Sequence, residues 1–388
     1  MRRVFANVKP KFVNLVAARS RKDWVLVGVV AVVLLAMLLI VTSLTPYHAP
    51  SNSLRYTEQQ STKSDEAPNV RVRLLSVSSD GVATGVVLDG EAKGQQASLY
   101  GISPANRANL AAGDVVIAAN DTPAAEQGLH YIDTLRIPGV FILVALFILA
   151  VVLIGGRRGL LSIVGLLLSV LVIGWYIIPL IMHGYNAYIV SLTGAYIIAT
   201  VSVLVAHGRR RRTYISIACI YLILTITALL AWFAAWATAL TGVADEITYW
   251  LSTDVPSIDM KGLVAGGMII ATLGVLDDVV TTQVATVEEI HKAHPKQSGH
   301  RLFMAASSVG SEHISSLVNT LALAYAGASL PIIIATIHQA SSLFLVINSE
   351  FIITEVVRTL VASLGLVLAV PFATLVAAYL YSRRAAAS

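Results

Sequence analysis

Long uncharged runs dominate the hydrophobic pattern of this chain. Six of them reach or exceed the roughly 20 residues that an α-helix needs to cross a hydrocarbon core of about 30 Å. These runs cover residues 24–43, 137–156, 159–182, 185–206, 213–244 and 359–382. Two further runs are irregular, because 262–276 is short for a crossing and 314–349 is long enough for most of two. The pattern predicts an all-α polytopic membrane bundle.

Between the first and second runs the pattern changes to short alternating stretches, which are typical of half-buried strands. They lie at 70–74, 82–88 and 115–117. The last stretch follows the turn signal Gly113-Asp114. We expect a small extracytoplasmic β-rich domain over 70–136, joined to the first run by a linker at 45–69 that is rich in Pro, Ser and Gln. A peptide-binding PDZ module is the alternative, but the short segment favours a small β-barrel.

Composition agrees with a membrane protein. Hydrophobic residues make up 56% of the 388 residues and charged residues only 13%, and the mean hydropathy is +0.76. A soluble fold of this size does not bury so much apolar surface, so the lipid bilayer is the predicted partner. The net charge of +5 does not indicate nucleic acid, because Lys and Arg flank the apolar runs. Cys219 is the only cysteine, which excludes an intramolecular disulfide.

The positions of the basic residues predict the topology. By the positive-inside rule, the Lys and Arg clusters lie in the cytoplasm. Both termini then lie on the cytoplasmic side of the membrane, and residues 45–136 lie outside. The remaining predicted segments are a basic N-terminus at 1–23, an anchor at 24–44, a transmembrane domain at 137–382 and a tail at 383–388. The alternative for the first run is a cleaved secretory signal.

One apolar run conflicts with this topology. Counting every run as a crossing gives about nine spans, and an odd number places the two termini on opposite sides. We therefore expect about eight transmembrane helices plus a re-entrant or broken segment at 330–347, which contains Pro331 and His338. The alternative is an ordinary ninth span that leaves Arg383 and Arg384 outside.

Ionisable side chains abut or interrupt the apolar runs at three places in the C-terminal half. Such groups at bilayer depth are the default candidates for function. The three motifs contain Asp277, Asp278, Thr281, Thr282 and Gln283; Glu312, His313 and Asn319; and Glu350, Glu355 and Arg358. Helical spacing predicts shared faces. These faces carry Asp278, Thr282, Ala285 and Glu289; Ser308, Glu312, Ser315 and Asn319; and Glu355, Thr359 and Ser363.

The first motif is the predicted ion-binding site. We expect Asp277 and Asp278 to bind a coupling proton or cation. The neighbouring neutral groups Thr281, Thr282 and Gln283 are expected as further ligands. We also expect a helix break here, because interrupted hydrophobic segments are typical of the midplane sites of transporters. The alternative is a solvated helix junction at the membrane interface.

The other two motifs are predicted to line the path of the ion. Glu312 and His313 directly precede the run at 314–349, Asn319 lies within it, and Glu350 and Glu355 precede the last run. The i, i+3 spacing of Glu355 and Arg358 predicts an intrahelical ion pair, in which the arginine neutralises the carboxylate.

The order and spacing of these motifs resemble the YibE/F family of bacterial multi-spanning membrane proteins. The matching motifs are GVLDDV at 274–279, VNTL at 318–321, GASLP at 327–331, SEFI at 349–352 and GLVLAVP at 365–371. The resemblance covers about 138–382. It implies a location in a bacterial cytoplasmic membrane, and it implies a fold more than an activity. One departure is Gly310-Ser311-Glu312-His313, where many relatives carry Gly-Arg-Asp-His, so one positive charge is absent.

The predicted function is a secondary transporter or permease coupled to a proton or cation gradient. One alternative is an envelope scaffold in which residues 70–136 recruit an extracytoplasmic protein. Another is an intramembrane metal-dependent enzyme, for which Glu288, His291 and His294 have suitable ligand types and spacing. The chain lacks HExxH, Gly-x-Ser-x-Gly and Walker A motifs, and no cofactor is predicted. A homo-oligomer is compatible with the sequence.

Overall fold

The computed structural model describes most of the chain. The described residues are 69–78, 80–90, 92–119, 128–339 and 342–385. The predicted basic N-terminus, the first anchor and nearly all of the linker lie outside them. Internal contacts divide the chain into two units, of which the first ends at Leu160 and the second begins at Leu161.

The first unit contains a closed five-stranded barrel in the order β1-β2-β3-β5-β4. Strands β1 to β5 are Val70–Val77, Ala83–Val87, Gln96–Tyr100, Val115–Ala119 and Leu129–Thr134. Neighbouring strands are antiparallel except for β3 and β5, which are parallel. A one-turn helix, α1 (Pro104–Arg107), lies between β3 and β4. This topology is that of the OB-fold, a five-stranded Greek-key barrel.

Alternating side chains fill the interior of the barrel. Val72, Leu74, Leu99 and Val116 are almost completely buried, whereas Arg73, between the inward positions 72 and 74 of β1, is exposed. The predicted small β-barrel is therefore confirmed. The sequence did not reveal β3 and β5, because QASLY and LHYIDT lack a regular alternation of apolar and polar residues.

Helices form most of the remaining described chain. They are α2 Ile137–Val172, α3 Ile178–Met182, α4 Ala187–His207, α5 Arg211–Ala237, α6 Glu246–Asp254, α7 Met260–Ala293, α8 Gly299–Gln339, α9 Leu343–Ile347 and α10 Glu350–Ala385. A π-helical turn, Ile173–Ile177, joins α2 to α3. Seven segments of the described chain are long and apolar enough to cross a membrane. This confirms the predicted polytopic bundle with a small β domain.

The helix α2 supplies two of these seven segments. Gly156 has φ 56° and ψ −136°, outside the helical region, and so divides the helix. The two spans are Ile137–Arg157 and Gly159–Met182. Glycine suits this position because a side chain disfavours a positive φ.

The helix α7 is central to the second unit, where it packs against α4, α5, α8 and α10. Small residues permit close approach of these helices. A Cβ atom added at Gly266 of α7 would collide with Ser191 of α4. Similarly, a Cβ atom at Gly365 of α10 would lie 2.7 Å from Thr227 Oγ1 of α5. The chain therefore wraps four helices around α7 and buries much of its circumference.

One expectation about helix continuity was wrong. A break was expected at Asp277 and Asp278, but α7 runs without interruption from Met260 to Ala293. Helical hydrogen bonds join backbone groups, so acidic side chains do not interrupt them when each carboxylate projects from the helix surface. Leucine and valine flank this pair and contribute to the core on the opposite side.

The segment 330–347 does not form one helix. Its first part continues α8 to Gln339, and its last part forms the short helix α9. Ser342 has extended backbone (φ −153°, ψ 152°) and its side chain accepts a hydrogen bond from the Leu345 N–H group. The expectation of a broken helix is thus confirmed, and no ninth long helix begins among the described residues of this segment.

Candidate functional site

Asp277 lies at the middle of α7, 17 residues after Met260 and 16 before Ala293. Its side chain is half-buried and faces α4. There the Ser202 hydroxyl donates a hydrogen bond of 3.3 Å to Asp277 Oδ2. Within the described part of the chain, no lysine or arginine forms an ion pair with this carboxylate. Asp277 is therefore an acidic group with one hydroxyl partner in an apolar helix bundle.

Asp278 projects from a different side of α7, because successive residues of an α-helix are about 100° apart. It is exposed, together with Gly267, Gly274 and Thr282. A Cβ atom added at either glycine would have no neighbour within 4 Å. As predicted, Asp278 and Thr282 share a face. That face is an uncovered stripe of small and polar residues on the described bundle.

The other two predicted ligands point elsewhere. Gln283 is buried, and its Nε2 atom donates to the Ala306 carbonyl (2.9 Å) and to Thr374 Oγ1 (2.7 Å). Its amide thus connects α7 to α8 and α10, away from Asp278. Thr281 is also buried, and its hydroxyl donates to the Asp278 carbonyl at 3.2 Å. Among the three neutral candidates, Thr282 is the one that lies on the exposed face of Asp278.

Polar side chains also lie on the exposed surface of α8. They are Ser308, Ser311, Glu312, Ser315, Ser316, Asn319 and Thr320. Several hydroxyls donate to carbonyls of their own helix, as Ser308 does to Ala305 at 2.9 Å. The side chains of Glu312 and Asn319 form no hydrogen bond or ion pair with the described residues. The side chain of His313, also predicted at this site, lies outside the described part of the structure.

Near the start of α10, Glu355 and Arg358 form the predicted intrahelical ion pair. Both side chains are largely buried, with 16% and 27% of their surfaces exposed. The contact is a hydrogen bond that Arg358 Nη1 donates to Glu355 Oε1. Arg358 therefore compensates the charge of Glu355, as expected.

Glu350, the first residue of α10, contacts the loop that follows α5. Its Oε1 atom accepts hydrogen bonds from the backbone N–H groups of Thr241 (2.6 Å) and Gly242 (2.8 Å). The Thr241 hydroxyl donates to Oε2 at 2.8 Å. Gly242 has φ +86°, and a Cβ atom there would collide with the Met260 carbonyl. The carboxylate predicted to line an ion path thus fastens a connecting loop to α10.

The three candidate metal ligands are at the end of α7. Glu288 forms ion pairs with Lys292 Nζ (3.2 Å) and Arg212 Nη1 (3.8 Å), and the His291 ring packs against a tyrosine ring. His294 is the exposed C-terminal cap. Over the described ranges, no group of three or more His, Cys, Asp or Glu side chains is arranged to hold a metal ion.

Sequence reasoning missed three contacting residues: Ser202 beside Asp277, Thr374 beside Gln283, and Thr241 beside Glu350. Each partner is more than 70 positions from the acidic or amide group that it contacts. A weak signal existed for α4, whose small residues Ser191, Ala195 and Ser202 recur at helical spacing. Small residues at this spacing are typical of helix contacts in membranes, but they do not identify the contacted helix.

A family model described as YibE/F-like protein matches residues 143–383, which is more than half of the chain. The match agrees with the resemblance inferred from the motifs around Asp277, Asn319 and Glu350. No curated protein matches the chain, and no solved structure does. Together with the apolar helices, the match identifies an integral, multi-pass membrane protein whose helices contact the lipid bilayer.

Proposed function

The chain belongs to the YibE/F family, and from this premise we propose that it is a secondary transporter or permease coupled to a proton or cation gradient. The observation that carries the proposal is the position of Asp277. Its carboxylate is at the middle of the central helix and accepts a hydrogen bond from the Ser202 hydroxyl of α4. No basic group among the described residues forms an ion pair with it.

An acidic group in such surroundings favours a bound ion for a simple reason. Transfer of an unpaired carboxylate from water to an apolar medium is very unfavourable. A bound proton removes the charge, and a bound cation compensates it. Glu355 is compensated by Arg358 and Glu288 by Lys292, whereas no lysine or arginine among the described residues forms an ion pair with Asp277. Asp277 is therefore the proposed site of the coupling ion.

Asp278 supplies the second part of the mechanism. It is adjacent to Asp277 but lies on the uncovered stripe with Thr282. An ion bound to the exposed carboxylate of Asp278 is next to the half-buried carboxylate of Asp277, because the two residues are consecutive. We assign Asp278 to capture and release of the ion, Thr282 to a neutral ligand beside it, and Asp277 with Ser202 to its retention between the helices.

The proposed topology places both termini in the cytoplasm of a bacterial cell and the barrel outside. Seven spanning segments are described, and the apolar run at 24–43 outside the described residues would be the eighth. An even number returns the chain to its starting side. This agrees with cytoplasmic positions for the basic residues 209–212 and 292–301 and for the C-terminal arginines.

The test is flux in proteoliposomes that contain the purified full-length chain. Gradients of protons, sodium and divalent cations are imposed in turn, and both current and internal pH are recorded, so that electroneutral exchange is also detected. We expect Asp277→Asn to lower the ion-dependent flux at least about tenfold. An amide does not bind a proton near neutral pH, and it has no negative charge to balance a bound cation. Ser202→Ala should produce a smaller loss of flux, measured as a higher ion concentration for half-maximal flux.

The matched control is Asp254→Asn, since Asp254 is an exposed acidic residue at the end of the short helix α6. Its flux should equal that of the wild type. Size-exclusion profiles and melting temperatures verify that all variants are folded. Equal flux for Asp277→Asn and the wild type would contradict the assigned site. Absence of flux from folded wild type under every gradient would contradict transport and favour a scaffold that recruits partners through the barrel.

A further inference from the structure

The outward side of α8 is a polar surface that the described chain leaves uncovered. Ser308, Glu312, Ser315 and Asn319 are exposed and follow one another at spacings of four, three and four residues. They lie on the side of α8 opposite Ala306, which is completely buried, because two residues along a helix correspond to a rotation of about 200°. We call these four residues the α8 polar face.

Lipid is an unsuitable neighbour for this face, because Ser315 and Asn319 lie within the apolar run at 314–349 and Glu312 lies next to its start. Hydrocarbon offers no hydrogen-bond partner, so polar groups in a membrane must find partners in protein or water. The hydroxyl of Ser308 has one in the Ala305 carbonyl. The carboxyl group of Glu312 and the amide of Asn319 have none among the described residues. Only 11% of the most apolar stretch of α8 is buried, compared with 50% in α7 and α10.

The apolar run at 24–43 of the same chain is a poor match for the α8 polar face. Its interior contains only aliphatic residues, methionine, alanine and glycine, and its polar atoms lie at its ends in Trp24, Thr42 and Ser43. A helix of this sequence could cover α8, but it would bury Glu312 and Asn319 without hydrogen bonds. The cost of such burial is the same as in lipid.

We propose that a second copy of this chain covers the α8 polar face, with the α8 helices of the two subunits packed against each other. Two copies inserted in the same direction are related by a two-fold axis along the membrane normal, so that equal depths meet. Serine hydroxyls and the Asn319 amide both donate and accept, which makes the face complementary to itself. Glu312 then reaches hydroxyls of the partner subunit. Hydrogen bonds between helices of this kind stabilise membrane oligomers.

The experiment is disulfide cross-linking of the full-length chain in membranes at a low protein-to-lipid ratio. Cys219→Ala removes the only native cysteine, and a single cysteine is then introduced as Ser308→Cys, Ser315→Cys or Asn319→Cys. After oxidation with copper phenanthroline, we expect a band at twice the mass of the chain. It should form at least about fivefold faster than for control positions, because a two-fold axis brings identical residues together.

The controls are Leu229→Cys on α5 and Leu364→Cys on α10, two exposed apolar positions away from the face. Cross-linking no faster than these controls at all three test positions would overturn the proposal. A variant with two introduced cysteines, Ser315→Cys and Val33→Cys, provides a second test. An intramolecular disulfide between them would also overturn the proposal, since it would place the first apolar run on the α8 polar face. Because the assay needs no transport, its outcome is separate from that of the flux test.

A second measurement addresses the interface without cysteines. Fluorescently labelled chains are reconstituted at low density, and photobleaching steps are counted in single vesicles. Two steps are expected for the wild type. Asn319→Leu removes the amide from the face and should increase the fraction of single-step vesicles. A majority of single steps for the folded wild type would contradict the dimer.

Discussion

The consecutive helices α7 and α8 differ in how they treat polar side chains. Both carry acidic and amide groups within apolar sequence. In α7, Asp277 and Gln283 reach partners on other helices, and half of its most apolar stretch is buried. In α8, Glu312 and Asn319 face outward. The difference shows that the side of the helix that carries a polar group, and not its presence in the run, decides whether the group contacts another helix or remains exposed.

The largest expected effect comes from blocking the inner side of α8. A Cβ atom at Gly310 would collide with Val370 of α10 and lie 3.0 Å from Gln283 Oε1. Gly310→Leu should therefore destabilise the bundle by about 3 kcal/mol. The measurement is the thermal unfolding midpoint in detergent. Gly327→Leu is the matched control, because a Cβ atom there has no neighbour within 4 Å. Equal midpoints for the two variants would show that the inner side of α8 is not tightly packed.

A smaller effect is expected from the inner side of α7. Gln283→Leu removes the amide that donates to Ala306 and Thr374. We expect the free energy of unfolding to fall by about 1–3 kcal/mol, since the buried Ala306 carbonyl and Thr374 hydroxyl lose a hydrogen-bond partner. Thr282→Val, on the exposed stripe next to it, should change stability by less than about 0.5 kcal/mol. Unfolding midpoints of the two variants provide the comparison. A larger loss of stability for Thr282→Val than for Gln283→Leu would contradict the assignment of Gln283 to the packed side of α7 and Thr282 to its exposed side.

The smallest effect is expected where water surrounds a polar pair, in the barrel. The Arg136 guanidinium, 2.6 Å from the Asp133 carboxylate, and the Thr134 N–H group hold the pKa of Asp133 below its ordinary value. The folded state is therefore favoured above the ordinary pKa of about 3.9, and this contribution disappears as the pH falls through the lower, folded value. Solvent screening keeps it small, because both side chains are exposed.

This expectation is tested with Asp133→Asn. Hydrogen exchange of the β5 amides should be slightly faster than in the wild type at pH near 7 and equal to it well below the ordinary aspartate pKa of about 3.9. A difference between the two proteins that persisted in acid would require another cause, such as altered packing of β5.

Hydrophobic pattern predicted much of the fold. The long runs predicted the spanning helices, and short alternating stretches predicted β1, β2 and β4. Both predictions were possible because buried positions are apolar, so that the spacing of apolar residues along the chain indicates the type of element. The helix break at Asp277 was predicted wrongly, since the pattern records the polarity of side chains and not the continuity of the backbone. Strands β3 and β5 were missed for a related reason. Their positions depend on pairing with distant strands in a closed barrel.

The candidate site was only partly predictable. The sequence singled out Asp277, Asp278 and Gln283 because acidic and amide groups are rare in apolar runs. It grouped them as one ligand set, whereas the structure directs the three side chains to three sides of α7. The partner Ser202 is a common residue in an ordinary run, and only helix packing brings it to Asp277.

The sequence by itself determined the class of the protein, the approximate number of spans, the presence of a barrel and the family. These properties follow from the amount and periodicity of apolar surface and from the order of short motifs, all of which are local. Tertiary structure decided which groups of α7 and α8 meet other helices and which remain uncovered. That choice depends on the rotation of each helix relative to its neighbours, which is set by contacts between residues far apart in the chain.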